Sequence, residues 1–269
     1  MSSAQNTLAL HFRSLHSPSS PLVLTNVWDA ISATSIASLP STRALATASY
    51  AIAAAAGLSD EALTLDVNLR AVAAIARVAS AHKLPLTVDF QDGFGGELEA
   101  GVREVIKLGA VGINLEDFAR EKDGLYSVEE AQERIRTVMR VAAELGVPDF
   151  VVNARTDALF SGGTVDDAIA RGKAFLEAGA ANVFIWGGPA RKGWAREEVK
   201  RAAKGLGGKL NVILIRMDGE GKPAEGLSVQ ELSKIGVSRI SVGPQLMKWT
   251  AKKMGEEASR ILGGEKSGS

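Results

Sequence analysis

The chain is 269 residues long and 46% hydrophobic, which suits one large α/β domain better than two small ones. Lysine plus arginine and aspartate plus glutamate both number 31, so no bulk field draws in nucleic acid or an anionic membrane, and neither is an expected partner. With no cysteine, disulfides, thiolate catalysis and cysteine-ligated metals are excluded. The polar start and the short apolar piece Leu8 to Leu10 do not make a signal segment, no run of ~18 apolar residues is present to span a bilayer, and a cytoplasmic location is expected.

In chain order, Ala4 to Leu15 reads as a leading helix, followed by a Ser/Pro linker. Leu22 to Thr25 is the first expected strand, Ala30 to Ser38 a helix, and Arg43 to Thr47 the second strand. The alanine-rich stretch after Ser49-Tyr50 reads as a loop that leads through Gly57 and Asp60 to a long helix, Glu61 to Ala81. Leu84 to Asp89 is the third strand; it opens into a glycine-rich turn, Gly93 to Gly96, and a helix from Glu97 to Leu108. Val111 to Leu115 is the fourth strand. After the charged loop Ala119 to Leu125, Ser127 and Glu130 make a capping box, so a helix starts there and runs to Leu145. Strand five is Phe150 to Asn153, and its helix, Val165 to Ala178, ends at Gly179, where a C-cap glycine belongs. Strands at Asn182 to Trp186, Leu210 to Ile215 and Arg239 to Val242 alternate with helices at Ala195 to Lys204, Val229 to Lys234 and Gln245 to Leu262. The strands are short unbroken apolar runs, the mark of strands buried on both faces. Eight of them alternating with helices specify a (β/α)8 TIM-type barrel over residues 21–262. Residues 1–20 precede it, and a tail at 263–269 is expected to be disordered.

A parallel barrel builds its active site on the loops at the carboxyl ends of its strands. Three of those ends release charge here: Asp89, then Glu116-Asp117, then Asn153, Arg155 and Asp157. Asp89 and Glu116 end adjacent strands, and two acids converging without a cation would repel. A hard divalent cation with oxygen ligands resolves the conflict, and Mg²⁺ suits few carboxylates and several waters, with Mn²⁺ as a substitute. Asp60 stands where it could orient one of those waters. The alternatives are that Asp89 caps its turn and Glu116 pairs with a surface cation. Arg155 can grip a substrate carboxylate or form an ion pair with Asp157 or Asp117. The backbone N–H groups of Ser49 and Tyr50 can bind a second oxyanion or belong to an ordinary turn. Gly243-Pro244 occupies the place of a barrel phosphate site. His11, His16 and His82 lie away from the strand ends, which argues against a Ser–His or His-ligated site. Proton transfer is left to a carboxylate, a tyrosine, a loop lysine or water; Tyr126 sits with Arg120 and Lys122 in a loop that could close as a lid.

Taken together, Asn26-Val27-Trp28-Asp29-Ala30, Ser49-Tyr50, Gly57, Asp60, Val88-Asp89 to Gly95, Gly112 to Asp117, Asn153 to Ala158 and Gly236 to Gly243 resemble the isocitrate lyase/phosphoenolpyruvate mutase superfamily, from about Leu22 to Leu262. The resemblance implies a barrel enzyme that binds Mg²⁺ and a 2-oxo acid or its enolate, and a homotetramer whose last helix is swapped onto a neighbouring subunit. It implies Asp89, Asp60, Gln91 and Glu116 as the metal-holding residues. Ser49, Tyr50, Arg155, Trp28, Asn153 and Gly93 become substrate-binding candidates, and Arg155, Glu116 and Tyr126 catalytic ones.

The chain also departs from the family pattern. Gln91 stands where the family carries a second acid, which removes one negative charge; either metal affinity falls, or Asp92 next door compensates by a local shift. The Lys-Lys-Cys-Gly-His lid of isocitrate lyases is missing, and Trp186 replaces a polar residue of the mutases. These departures point away from isocitrate and methylisocitrate cleavage and toward the 2-oxo acid lyase and oxaloacetate decarboxylase-like branch. The expected function is Mg²⁺-dependent cleavage of a C–C bond in a small 2-oxo dicarboxylate, with an oxaloacetate-type substrate first. The alternatives are a catalytically diminished barrel that binds oxo acids, and P–C chemistry of the phosphonopyruvate hydrolase or mutase kind.

Overall fold

The computed structural model describes residues 2–18, 20–188, 195–215 and 226–263. The tail expected to be disordered lies, beyond Gly263, outside the described residues. A leading helix, α1 (Ser2–Ser14), precedes β1 (Leu22–Leu24), α2 (Ala30–Ala37), β2 (Leu45–Ala46), α3 (Ser49–Ala55) and α4 (Leu65–Ala81). There follow β3 (Leu86–Asp89), α5 (Leu98–Lys107), β4 (Gly112–Glu116), a hairpin of β5 (Phe118–Ala119) and β6 (Gly124–Leu125), and α6 (Val128–Glu144). The second half runs β7 (Val151–Thr156), α7 (Val165–Glu177), β8 (Asn182–Ile185), α8 (Arg196–Gly205), β9 (Leu210–Ile213), α9 (Val229–Ile235), β10 (Arg239–Ser241) and α10 (Gln245–Leu262).

Eight parallel strands pair in the order β1-β10-β9-β8-β7-β4-β3-β2. A parallel bridge between Val27 and Thr47 brings the two outer strands together, so the barrel is nearly closed. The helices start where the sequence supplies caps: Ser127 and Glu130 bond reciprocally at α6, as do Thr164 and Asp167 at α7 and Ser228 and Glu231 at α9. One expectation is corrected. The alanine-rich stretch after Ser49 is a helix, α3, because alanine is the strongest helix former even where no amphipathic period announces it.

Register then places the functional side chains. In β4 and β7, Asn114 lies opposite Asn153 and Glu116 opposite Arg155, while Asp89 of β3 lies opposite Asn114. Side chains two apart share a strand face, so Asn114 and Glu116, and Asn153 and Arg155, form successive levels. The lower level is polar. Asn153 donates to Asn114 Oδ1 at 2.5 Å, Asn182 donates to Asn153 Oδ1 at 2.9 Å, and Ser238 donates to Asn182 Oδ1 at 2.7 Å. The buried Arg239 guanidinium reaches the same Asn114 oxygen at 3.4 Å. Helix α1 packs against β7, with the buried Phe12 ring beneath Gly112, where a Cβ would meet Phe12 Cε1 at 3.1 Å and the Val151 carbonyl at 2.6 Å. Polar anchors fix that helix, among them Gln5 Nε2 on the Ile106 and Ala110 carbonyls and Arg13 on the Phe150 carbonyl. No helix among the described residues is long and apolar enough to cross a membrane.

Candidate active site

The carboxyl end of the sheet gathers four acids and two arginines. Strand β7 runs further than the apolar pattern suggests, so Arg155 lies within it and faces Glu116 across the ladder. Arg155 Nη1 is 2.9 Å from Glu116 Oε2, while its Nε and Nη2 donate to Asp157 at 2.6 and 2.9 Å. Its guanidinium carbon lies 4.2 Å from the Trp186 ring centroid and 5.9 Å from that of Phe184. Burial opposes the charge of Arg155, but Asp157 and Glu116 outweigh it, and its pKa is raised. Glu116 shows the converse. Burial raises its carboxyl well above the usual range, Asp157 and Asp89 add to the rise, and Arg155 and Arg120 only partly offset it.

Asp89 ends β3 beside the N-terminus of α3, and its Oδ2 accepts the Ser49 amide at 2.9 Å. The Ser49 N–H expected to hold a substrate oxygen is thus taken up by Asp89, because the short connection from β2 delivers the first turn of α3 to the end of the neighbouring strand. Asp60 approaches from the loop before α4. Burial and Asp89 raise its pKa, countered by Arg120 and by hydrogen bonds from the side chains of Ser49 and Gln91.

Gln91 has a left-handed backbone, φ 48°, uncommon for a residue with a Cβ. Its Nε2 donates to the Asp60 carbonyl at 3.0 Å and to Asp60 Oδ1 at 2.9 Å, while its buried Oε1 has no partner. The expectation that Asp92 substitutes for the missing acid is corrected. Asp92 is buried with its Oδ1 on the Phe94 amide at 3.0 Å and a hydrogen bond to Tyr126, so it is committed to the turn.

The remaining candidates are placed as follows. Tyr126 lies beneath the cations of Arg134 and Lys122, 4.5 and 5.3 Å from its ring centroid, and joins the Asp92 turn rather than the Asp60–Asp89–Glu116 group. Asn153 spends both ends of its amide on neighbouring asparagines below the site. Gly93, at φ 83°, is needed for packing, since a Cβ would meet Leu98 Cδ1 at 2.5 Å. Trp28 packs on the apolar cluster of Ile52, Ala53 and Leu63. Tyr50 is 42% exposed under Lys248 Nζ, 4.6 Å from its ring centroid. At the turn before α10, Val242 and Gly243 N–H both donate to Asn26 Oδ1, at 3.1 and 2.9 Å, and Pro244 has no N–H, so these three residues offer a phosphate no amide.

Two residues have contacts that the sequence reading did not give them. Asp117 accepts from Thr156 Oγ1 at 2.8 Å, from Asp157 N–H at 2.8 Å and from Arg171 Nε at 2.6 Å, pinning β4 to β7 just beside the acids. Arg120, read only as part of a lid, reaches Asp60 and Glu116. The sequence signal for Arg120 was its place in the charged loop that follows Glu116 and Asp117.

The oxygen-only donor set fits a hard cation. Among the described residues no group of three or more acidic or histidine side chains is arranged to hold a metal by itself. Few direct carboxylates completed by water are the usual manner in which Mg²⁺ is held. Gln91 Oε1, a buried acceptor with no donor, is a fitting partner for such a water.

A barrel with acids and an arginine at its carboxyl end defines the class, and the family model described as phosphoenolpyruvate phosphomutase matches residues 12–262. The chain belongs to the phosphoenolpyruvate mutase/isocitrate lyase superfamily. An uncharacterized protein of Mycobacterium tuberculosis H37Rv is 29% identical over 237 residues, covering 87% of this chain and 82% of that one. The 2-methylisocitrate lyase of Escherichia coli K12 is 38% identical over 120 residues, 41% of this chain and 39% of its own. A solved Burkholderia cenocepacia J2315 protein of the phosphonomutase type superposes with a TM-score of 0.83 at 31% identity, over 97% of this chain and 99% of that one. A phosphonopyruvate hydrolase solved with oxalate and Mg²⁺ shares the fold, at TM-score 0.79 and 23% identity, over 98% of this chain and 89% of that one. Solved 2,3-dimethylmalate lyase and oxaloacetate acetylhydrolase share it as well. The 2,3-dimethylmalate lyase is described as a PEP mutase/isocitrate lyase superfamily member, so the superfamily includes a lyase.

Proposed function

We propose that the chain is a Mg²⁺-dependent lyase that cleaves a C–C bond in a small 2-oxo acid, with an oxaloacetate-type dicarboxylate as the leading substrate. The observation that carries this reading is the Asp60–Asp89–Glu116 group, three carboxyls gathered beside Arg155 and Arg120 at the carboxyl end of the sheet, with Glu116 buried and Asp60 and Asp89 partly so. Asp89 would hold the cation directly, and Asp60, Glu116 and Gln91 Oε1 would hold its waters; Mn²⁺ could replace Mg²⁺. Bound there, the ion supplies Lewis-acid stabilisation of the charge that develops on the 2-oxo oxygen as the bond breaks. Arg155, stacked on Trp186 and clamped by Asp157, presents a fixed positive charge to the substrate's carboxylate. Glu116, at the end of β4 and facing Arg155, is the carboxylate candidate for returning a proton to the product. Tyr126 is the weaker acid–base candidate, because its hydrogen bond goes to Asp92. The absent lysine–cysteine lid keeps the reading away from isocitrate and methylisocitrate cleavage, and Trp186 in place of a polar residue keeps it away from the mutases.

Helix α10 buries no residue and exposes Trp249, Met254, Ile261 and Leu262, which supports its docking on a neighbouring subunit of a homotetramer. The functional test is a panel of 2-oxo acids followed by NMR with Mg²⁺ present. Turnover of oxaloacetate or a close analogue, lost in Arg155→Ala, is the expected result. No turnover of any member, with chemical-shift changes that report binding alone, would leave a barrel that only binds oxo acids.

A further inference from the structure

Arg120 sits on the turn that joins β5 to β6, and its guanidinium reaches into the acidic group from the side. Nη1 donates to the Asp60 backbone carbonyl at 2.8 Å. Nη2 lies 3.6 Å from Asp60 Oδ2 and 3.7 Å from Glu116 Oε1. One hydrogen bond therefore anchors the guanidinium, while its second nitrogen points between two carboxylates without closing on either. The side chain remains 24% exposed, so it has room to swing away. The turn that carries it is fixed separately, by Lys122 on Glu130 at 2.8 Å, and it packs on the glycine turn, where Glu121 Oε1 would lie 2.5 Å from a Cβ at Gly95.

Gln91 completes the picture. Where a second acid would add negative charge, its Nε2 and Arg120 Nη1 converge on the same Asp60 carbonyl. Relative to a site with an acid at this position and no arginine, this one has lost one negative charge and gained one positive charge. Asp60 and Glu116 are thereby held by a protein cation. A divalent ion placed among Asp60, Asp89 and Glu116 would face that cation across the same oxygens, and like charges that share ligands exclude one another.

We propose that Arg120 is the resident counter-charge of this site and competes with the divalent cation for Asp60 and Glu116, so that cation binding releases Arg120 from the acids. This rests on the metal reading given above. It makes the β5–β6 turn a sensor of site occupancy, engaged through Arg120 when no cation is bound.

The test is titration of the full chain with Mn²⁺, with free ion counted by electron paramagnetic resonance. The forms compared are wild type, Arg120→Gln, Arg120→Lys and Asp89→Ala. Arg120→Gln keeps a polar side chain on the turn and removes the charge; it should bind Mn²⁺ about tenfold more tightly, the scale set by one unit charge a few ångströms away in a partly solvated site. Arg120→Lys, still charged, should stay near wild type. Tight binding by Arg120→Gln where wild type shows none would support competition most strongly. Equal or weaker binding by Arg120→Gln overturns the inference. If wild type binds Mn²⁺ and Asp89→Ala does not, the metal reading survives that failure; if neither wild type nor Arg120→Gln binds, both readings fall.

Discussion

Replacing Gln91 by glutamate restores the family's acid, and the structure makes its cost calculable. Gln91 Nε2 now donates to two oxygens of Asp60, at 3.0 and 2.9 Å. A glutamate turns that donor into an oxygen facing the same two acceptors. Two hydrogen bonds are lost, each with a net contribution of about 0.5–1.5 kcal/mol. Two carboxylates ~3 Å apart also repel by ~1.4 kcal/mol at the dielectric of water and ~5.5 kcal/mol at an effective dielectric of ~20. Arg120 and protonation of one partner will blunt the repulsion, so the net loss without metal should be about 2–5 kcal/mol, or a fall in melting temperature on the order of 5–15 °C for a chain of this size. A bound cation reverses the sign, because the extra charge then attracts it. The assay is differential scanning calorimetry of wild type and Gln91→Glu, each in chelator and in excess Mg²⁺. The variant should melt lower in chelator and gain more from Mg²⁺ than wild type does. Equal melting in chelator, or a Mg²⁺ gain no larger than that of wild type, would refute the assignment of Gln91 to the cation's surroundings.

Two further predictions concern stability. Asp117→Ala should destabilise the chain by about 3–5 kcal/mol, because it strands a mostly buried Arg171 and removes the acceptor for Asp157 N–H and Thr156 Oγ1; a shift in urea midpoint worth less than ~1 kcal/mol would show that β4 and β7 need no such pin. His16, whose pKa is lowered to about 3 by burial and by the nearby Arg239, donates through Nδ1 to the Phe12 carbonyl and leaves its buried Nε2 without a partner. The unfolded chain therefore takes up a proton near pH ~6.5 and the folded one does not, so stability is full above that pH and falls as pH drops toward about 3, by roughly 2 kcal/mol at pH ~5. Urea unfolding of wild type and His16→Leu at pH ~7 and ~5 checks this, and an equal loss in both would remove His16 as the cause.

The sequence announces the barrel because its strands and caps are local signals. Unbroken apolar runs such as Val151-Val152 need no partner to be recognised as buried strands, and Ser127 with Glu130 marks the start of α6 within four residues. Helix α3 escaped that reading because a run of alanines has no polar face to contrast with its buried one. The end of β7 escaped it because Asn153, Arg155 and Asp157 look like loop chemistry, although the strand continues beneath them as far as Thr156.

The site is less legible, for a reason that Gln91 and Asp92 make concrete. Sequence places both at the end of β3 and cannot say which way each side chain faces. The answer depends on the left-handed backbone at Gln91, which turns its amide onto Asp60 and leaves Asp92 to cap Phe94. The same holds for Arg155 and Arg120. Each is visible as a cation near acids, but choice among acids is set by register in one case and by the reach of a hairpin in the other. Arg155 faces Glu116 because ladder partners are fixed neighbours, so its contact is a consequence of the fold. Arg120 is held by one strong bond to a carbonyl and two long contacts to carboxylates, so its contact is a consequence of the charge left unpaired there. A fixed cation suits the orientation of a substrate, and an easily displaced one suits exchange with an ion. On the proposed reading, the two arginines would divide those roles because one grows from a strand and the other from a turn.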